Sequence, residues 1–371
     1  MNIGIDIREI CVSNTGIGQY TRNLLNYLIT KKSEHYNFFL YTNTGELNEF
    51  QKELPENFKF IKYKTTNTIF DFYALPKLIK KNKIDLFFSP YYKFPYLAQC
   101  PCVITVHDIG FITFPIQYYA RSRFYRLFAS RLLEYSLNRS ARIFAVSNFT
   151  KSEILENYNI PSEKISVLYN TTNKIFDISL KTIEKNKIEN LRKQYGRFIL
   201  SVSNYKPHKN INGLINVFSK ICKDIPENLL LAGPINDGMT SAKELVKKLN
   251  IENRVFFITP KNNNELAVLY AAAEIYCHPS MYEGFGIPPI EAQKCGCPVI
   301  SSNAASLSEI LEDSAILFDY RNFDEFVEKL KELATDENLK KLIIAKGLKN
   351  SERFNAQKIY PKFFEVIDNF K

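Results

Sequence analysis

The stretch "HPSMYEGFGIPPIEAQKCGCPVISS", His278 to Ser302, closes one short apolar run and opens another, with a Gly-x-Gly turn, a Pro-Pro pair and a helical segment between them. Strand, glycine turn, proline-started helix and second strand make the repeating unit of a parallel sheet with helices on its faces. Two glutamates, Glu283 and Glu291, stand eight positions apart inside it. Glu283 falls on the loop after the first strand, and Glu291 reads as part of the first turn of the helix. Gly284 and Gly286 release the backbone so that consecutive amides can face a ligand, and Pro288-Pro289 begins a helix without losing a needed donor. A plain capped helix start with surface glutamates explains one Glu, but explains the glycines, prolines and second Glu together poorly.

Outward from this stretch, the same alternation runs through the chain. Strand candidates in the first half are Ile3–Ile7, Asn37–Thr42, Phe58–Tyr63, Ile84–Ser89, Val103–His107, Arg142–Ser147 and Ile165–Tyr169. Helical stretches between them are Gly18–Thr30, Phe70–Lys80, Tyr118–Asn138 and Phe149–Tyr158. The pattern lapses over Thr171–Tyr195, which is polar and rich in Lys and Asn. A second series then starts at "RFILSVSN" and continues through "LLLAG", "RVFFIT", "EIYCHPS", "CPVISS" and "AILFD". Phe323–Ala334, Glu337–Arg353 and Ile359–Asn369 close the chain as helices. The expected organisation is an α/β protein with a Rossmann-like domain over 1–172, a linker over 173–195, a second Rossmann-like domain over 196–352, and a last helical segment, 353–371, with packing back on the N-terminal domain as one option. No internal repeat or low-complexity tract stands out.

A chain of 371 residues suits two domains. Hydrophobic residues at 45% and charged residues at 24% are globular values, and no run of eighteen apolar residues exists to span a bilayer. The start, "MNIGIDIREI", reads as a first strand and not as a signal peptide, so a cytoplasmic location is expected. Seven cysteines without a C-x-x-C pair fit neither a disulfide framework nor a tetrahedral zinc site. The net charge of +10 attracts anions without identifying them.

Ligands of open parallel sheets bind beyond the carboxyl ends of the strands, so chemistry belongs just after each strand. After strand one comes "SNTGIGQY", where Gly16 and Gly18 let amides approach an anion at a helix start, or simply make a tight turn. His107-Asp108 ends an apolar strand, where the histidine could bond a sugar hydroxyl, join proton traffic, or sit as a satisfied polar residue. "KPHKN", Lys206–Asn210, brings Lys206, His208 and Lys209 to the start of a helix at Ile211–Cys222, which suits a diphosphate or is a solvated charged turn. In the opening stretch one carboxylate could stabilise developing positive charge while the other holds diol hydroxyls.

These elements, "EGFGIPPIE" with "CGCPVISSNAASLSEI" behind it, "KPHKN", the first-half "HD" and "TGIGQYTRNLL", together resemble the retaining glycosyltransferases of family GT4, in the same order and over nearly the whole chain. The resemblance implies the GT-B fold of two facing Rossmann-like domains with a cleft between them. It implies that Glu283 lies by the donor sugar near its anomeric centre, and that Glu291 binds the ribose hydroxyls. Lys209 neutralises the diphosphate leaving group, and His107 contacts the sugar C6 hydroxyl. Amides from Gly284, Phe285, Gly286 and Ile287 hold the sugar and distal phosphate, with those around Gly16 and Gly18 reaching the same phosphate. Asn204 stands where many members carry Arg, leaving neutralisation to Lys209 with help from His208 or Lys206. No cofactor and no metal are implied.

The activity so implied is hexose transfer from a nucleotide sugar to a glycan or lipid-linked acceptor in surface polysaccharide synthesis. GDP-mannose is the favoured donor, because "NYKPHKN" and "SSNAASLSEI" are similar to mannosyltransferase-like members. Alternatives are a UDP-sugar donor, a nucleotide-sugar epimerase of the same fold and a silent binding subunit; no motif points to nucleic acid. The segment 118–142 carries Arg121, Arg123, Arg126, Arg131, Arg139 and Arg142 amid Phe124, Leu127, Phe128, Leu132 and Tyr135. It is either a core-packed helix with a solvated basic face or a peripheral contact with the anionic inner face of a membrane.

Overall fold

The structure is a computed structural model; it describes residues 1–12, 16–31, 35–45, 54–93, 95–115, 122–177 and 185–371. Ser13–Thr15, Tyr118–Arg121 and part of the expected linker therefore lie outside the described residues. The chain divides into two compact units. Unit 1 takes Met1–Ile109, Ser122–Thr171 and Asn355–Lys371, and unit 2 takes Thr172–Phe354 with the short segment that starts at Gly110.

Unit 1 is built on β1 (Asn2–Asp6), β2 (Asn37–Thr42), β3 (Phe58–Lys62), β4 (Leu86–Ser89), β5 (Cys102–Val106), β6 (Arg142–Ala145) and β7 (Ile165–Val167). They form one seven-stranded sheet in the order β3-β2-β1-β4-β5-β6-β7, and every pairing is parallel. The central runs β4 and β5 are mainly apolar and buried throughout, because strands covered on both faces have no polar side to alternate with, whereas the edge strand β3, FKFIK, buries only Phe58. β5 is buried at all five positions. Gly4 has a packing reason: a Cβ there would meet the Phe87 ring at 2.8 Å.

Unit 2 repeats the plan with β8 (Phe198–Val202), β9 (Asn228–Ala232), β10 (Val255–Ile258), β11 (Ile275–His278), β12 (Val299–Ser302) and β13 (Ile316–Phe318). Their order is β10-β9-β8-β11-β12-β13, again all parallel. In both sheets the order reverses beside the first strand, between β1 and β4 and between β8 and β11, which is the switch point where such sheets take ligands.

The chain's end belongs to unit 1. The helix Pro361–Ile367 buries Phe363, Phe364, Val366 and Ile367. Phe363 meets the rings of Phe88 at 5.1 Å and Phe144 at 5.8 Å, and the Tyr360 hydroxyl lies 2.9 Å from Thr171 Oγ1.

Four local expectations change. The polar stretch before β8 is not wholly irregular, since Lys185–Tyr195 is a helix whose Arg192 bonds Glu274 at 3.0 Å. Phe70–Lys80 is one π turn, Phe70–Ala74, leading into an α-helix, Leu75–Lys81. Pro76 offers no amide and its ring crowds the preceding turn, so the Leu75 amide reaches back five residues to the Phe70 carbonyl. The final helix breaks at Tyr360 before Pro361, giving Ala356–Ile359 and Pro361–Ile367. Glu291 lies beyond the first turn of its helix, Ile287–Lys294, because Gly286 at φ 90° is the cap and fixes the start at Ile287.

Candidate functional site

Unit 2 brings the two main sequence motifs together at its switch point. The loop after β8 folds through a 3₁₀ turn, Pro207–Lys209, and passes to the helix Ile211–Ile221 through Asn210 in the left-handed region, φ 54°. The loop after β11 runs to Gly286. They are tied backbone to backbone, with the Met281 amide donating to the His208 carbonyl at 2.7 Å. Lys209 thereby reaches Glu283: Nζ lies 2.6 Å from Oε1, with both side chains more than four-fifths buried.

Glu283 Oε1 receives two further donors. Ser280 Oγ donates at 2.8 Å and His278 Nε2 stands at 3.0 Å. The acceptor at Nε2 requires that nitrogen to carry a proton, and Nδ1 lies 3.1 Å from the Tyr276 hydroxyl. Tyr276, His278 and Glu283 therefore form one chain of hydrogen bonds. The Glu283 backbone is pinned as well, its carbonyl accepting from Ser306 Oγ at 2.9 Å. Burial alone would raise the Glu283 pKa. The Lys209 charge and the His278 and Lys209 hydrogen bonds outweigh it, holding the carboxyl well below the usual carboxylate range.

Glu291 has the opposite environment. It is buried in the helix Ile287–Lys294 with one hydrogen bond, from the Tyr270 hydroxyl at 3.2 Å. Burial pushes its carboxyl up to about 7, and the Tyr270 bond only partly opposes this. A carboxyl so poised gains from donors such as vicinal hydroxyls.

The glycine loop has divided duties. Phe285 is buried edge-on against Phe354, ring centres 5.2 Å apart, so its side chain anchors the loop and only its backbone remains to meet a ligand. Gly286 cannot be replaced freely, because a Cβ would lie 2.7 Å from Leu307 Cδ2. Gly284 is buried and Ile287 partly so.

Asn204 and Lys206 are exposed. Asn204 is held by its carbonyl, which accepts from Asn236 Nδ2 at 2.8 Å. His208 is buried, so of the three basic groups in the motif Lys209 is the one joined to Glu283.

In unit 1, Gly16 opens the helix Gly16–Lys31 with nothing within 4 Å of where a Cβ would stand, and Gly18 is buried within its first turn. His107 follows β5. Its Nε2 donates to the Pro90 carbonyl at 2.8 Å and its ring meets Tyr20 edge-on at 4.9 Å. Burial lowers its pKa to about 4, so the ring is neutral near pH 7 and Nδ1 is an acceptor. That suits a hydroxyl contact better than acid catalysis.

Sequence reasoning passed over His278, Ser280 and Ser306 as Glu283 partners, Tyr270 as the Glu291 partner, and two supporting glycines. A Cβ on Gly233 would stand 1.9 Å from the Ser203 carbonyl, and one on Gly238 would stand 2.4 Å from that of Tyr205. The glycines in "LLLAGPINDG" thus make room for the loop that delivers Lys209. Arg8, whose guanidinium lies 2.6 Å from Asp6 and 2.7 Å from Asp71, is a further buried ionic cluster just past β1.

Two all-parallel Rossmann-like sheets in one chain are the architecture of the GT-B fold of glycosyltransferases. Residues 182–350 match the model for glycosyl transferases group 1, and residues 14–174 match that for Glycosyltransferase Family 4. The chain belongs to this family of glycosyltransferases. It is 33% identical over 263 residues to the O-antigen chain mannosyltransferase RfbU of Salmonella typhimurium, covering 70% of this chain and 69% of that one. It is 27% identical over 285 residues to the O-antigen chain mannosyltransferase B of Escherichia coli, covering 75% and 72%. Its fold matches that of Anabaena Alr3699/HepE, solved with UDP and glucose, at TM-score 0.78 and 18% identity over the full length of both chains.

Proposed function

We propose that this glycosyltransferase moves mannose from GDP-mannose, with retention and without a divalent metal, onto a glycan or lipid-linked acceptor of a surface polysaccharide. The observation that carries the reading is the Lys209–Glu283 pair beyond the carboxyl ends of β8 and β11. The named activities of the two O-antigen mannosyltransferases support the choice of sugar.

Transfer breaks the bond between the anomeric carbon and the diphosphate oxygen, and forms one to an acceptor hydroxyl on the same face. The acceptor proton passes to the departing phosphate oxygen. Positive charge grows at the sugar and negative charge on the diphosphate. Glu283, kept ionised by its three donors, lies by the sugar and stabilises the first. Lys209 has three N–H donors, of which one serves Glu283, leaving others for the phosphate. Amides from Gly284 to Ile287 hold the sugar and distal phosphate, Glu291 receives the ribose hydroxyls, and His107 Nδ1 accepts from the sugar C6 hydroxyl. Amides at Gly16 and Gly18 serve the phosphate.

The test is calorimetric titration with a panel of nucleotide sugars in chelator, followed by transfer assays. GDP-mannose should bind. Glu283→Ala should abolish transfer while retaining GDP, and Glu291→Ala should weaken GDP. Transfer by Glu283→Ala at the wild-type rate, selective binding of UDP-sugars, or donor consumed without acceptor would each overturn the reading.

A further inference from the structure

We propose that the helix Arg123–Arg139 of unit 1 docks this enzyme on a bilayer carrying anionic lipid, through a face that includes Phe124, Leu127 and Phe128. Ser122 caps the helix, its hydroxyl accepting from the Tyr125 amide at 3.1 Å. Its core face is Ala129, Leu133 and Leu137, spaced four apart and buried. Phe124 and Leu133 are nine residues apart in a 3.6-residue helix, so they point about half a turn from each other. Phe124, Phe128, Arg131 and Tyr135 follow one another by four, three and four along that opposite side.

An ordinary surface helix keeps one apolar stripe, against the core. This one has two, and the second faces water: Phe124 is 80% exposed, Leu127 60% and Phe128 62%. The patch continues off the helix, since the Tyr135 ring lies 5.6 Å from Tyr96, which stacks on the half-exposed Phe72 at 4.6 Å. Arg123, Arg131 and Arg139 are exposed alongside it. The helix carries four arginines against one acid, Glu134, and that acid is already bonded to Arg131 at 3.0 Å.

Exposed aromatic and aliphatic side chains bordered by arginines are what a helix lying in a headgroup layer requires. A saccharide platform would add hydrogen-bond acceptors for hydroxyls, and the one carboxylate here is taken. A two-fold contact with a second copy would set the arginines against each other. The inference rests on the proposed function only for the reason to be at a membrane, a lipid-linked acceptor.

The chain has no tryptophan, so one introduced indole reports alone. Full-length Phe124→Trp is mixed with phosphatidylcholine vesicles with and without phosphatidylglycerol, in the absence of any nucleotide sugar. Co-sedimentation and a blue-shifted emission are expected with the anionic vesicles only, and no shift from Leu342→Trp on the half-exposed surface of unit 2. Phe124→Ser/Leu127→Ser/Phe128→Ser should weaken vesicle binding at least tenfold, and Arg131→Gln by about fivefold. Absence of vesicle binding, undiminished binding by the triple variant, an equal shift from Leu342→Trp, a shift produced by soluble glycan instead of vesicles, or one produced by self-association would each overturn the proposal. A chain that binds vesicles but transfers no sugar refutes the activity alone, because the binding assay contains no donor.

Discussion

Replacing Lys209 with methionine keeps the length of the side chain and removes its charge, leaving Glu283 ionised in a pocket that is four-fifths closed. At 2.6 Å the attraction amounts to roughly 6 kcal/mol at an effective dielectric of about 20, most of it offset by the desolvation of both groups. Loss of one partner from a buried pair typically costs about 3–5 kcal/mol. Here His278 and Ser280 still donate to the same oxygen, so the expected loss is lower, about 2–3 kcal/mol. That corresponds to a fall in Tm of roughly 5–10 °C for a unit of this size.

The Glu283 pKa is depressed in the folded state, so the stability it contributes is present above the ordinary carboxylate value of 4.5 and is lost as pH falls below it. The difference between wild type and Lys209→Met should therefore shrink in acid. Glu283→Gln should cost less, because a lone Lys209 can turn toward water, and the double variant should be more stable than the sum of the single losses. Activity gives an independent reading, since all three variants should lose transfer by about a hundredfold or more. Denaturant unfolding at pH 7.5 and pH 4 measures the cycle. If Lys209→Met unfolds with wild-type stability at both pH values, or the two single losses simply add, the ion pair does not hold the site as argued.

Glu291→Gln tests the other carboxyl: its folded pKa is raised to about 7, so wild-type stability should fall as pH rises from 4.5 to 7 while the variant should not, diverging by up to about 3 kcal/mol. Parallel pH–stability curves would refute the burial argument. Gly286→Ala, at φ 90° and facing Leu307, should cost about 2–3 kcal/mol, whereas Gly296→Ala, at φ 73° with nothing within 4 Å, should cost only about 1 kcal/mol by urea unfolding. Equal losses would show that the Leu307 contact adds nothing.

The parallel sheets were legible because buried strands are written as short apolar runs, and Phe38, Leu86 and Val103 stand in runs of that kind. Lys209 and Glu283 were legible for a different reason: each lies on a loop leaving a strand, and β8 and β11 are neighbours. What joins them was not. Convergence of His278, Ser280 and Lys209 on a single oxygen depends on the path of the loop through Met281, and that path is set by one amide bonded to the His208 carbonyl. The turn that holds Glu291 was misjudged because no pattern announces a left-handed glycine; Gly284 and Gly286 look alike until the backbone shows Gly286 as the cap. For the helix Arg123–Arg139, apolar residues recur on both sides, so sequence periodicity alone could not say which side met the core.

The two glutamates of the opening stretch belong to one loop-helix unit, yet the fold sends their proton equilibria in opposite directions. Three donors meet Glu283 on one oxygen, and Glu291 has a single tyrosine hydroxyl in an otherwise closed helix. In the proposed transfer Glu283 faces developing positive charge and has to be anionic before the reaction begins, a state its three donors favour without ligand. In the same proposal Glu291 needs its charge only while the ribose hydroxyls are bound, and burial, which raises its carboxyl to about 7, keeps it partly protonated without them. Donor binding at pH 6 should accordingly release a proton from Glu291 and be weaker than at pH 8, whereas no such linkage should come from Glu283. The division of labour is then a property of what each carboxyl touches, and it follows from where Gly286 stops the loop and starts the helix.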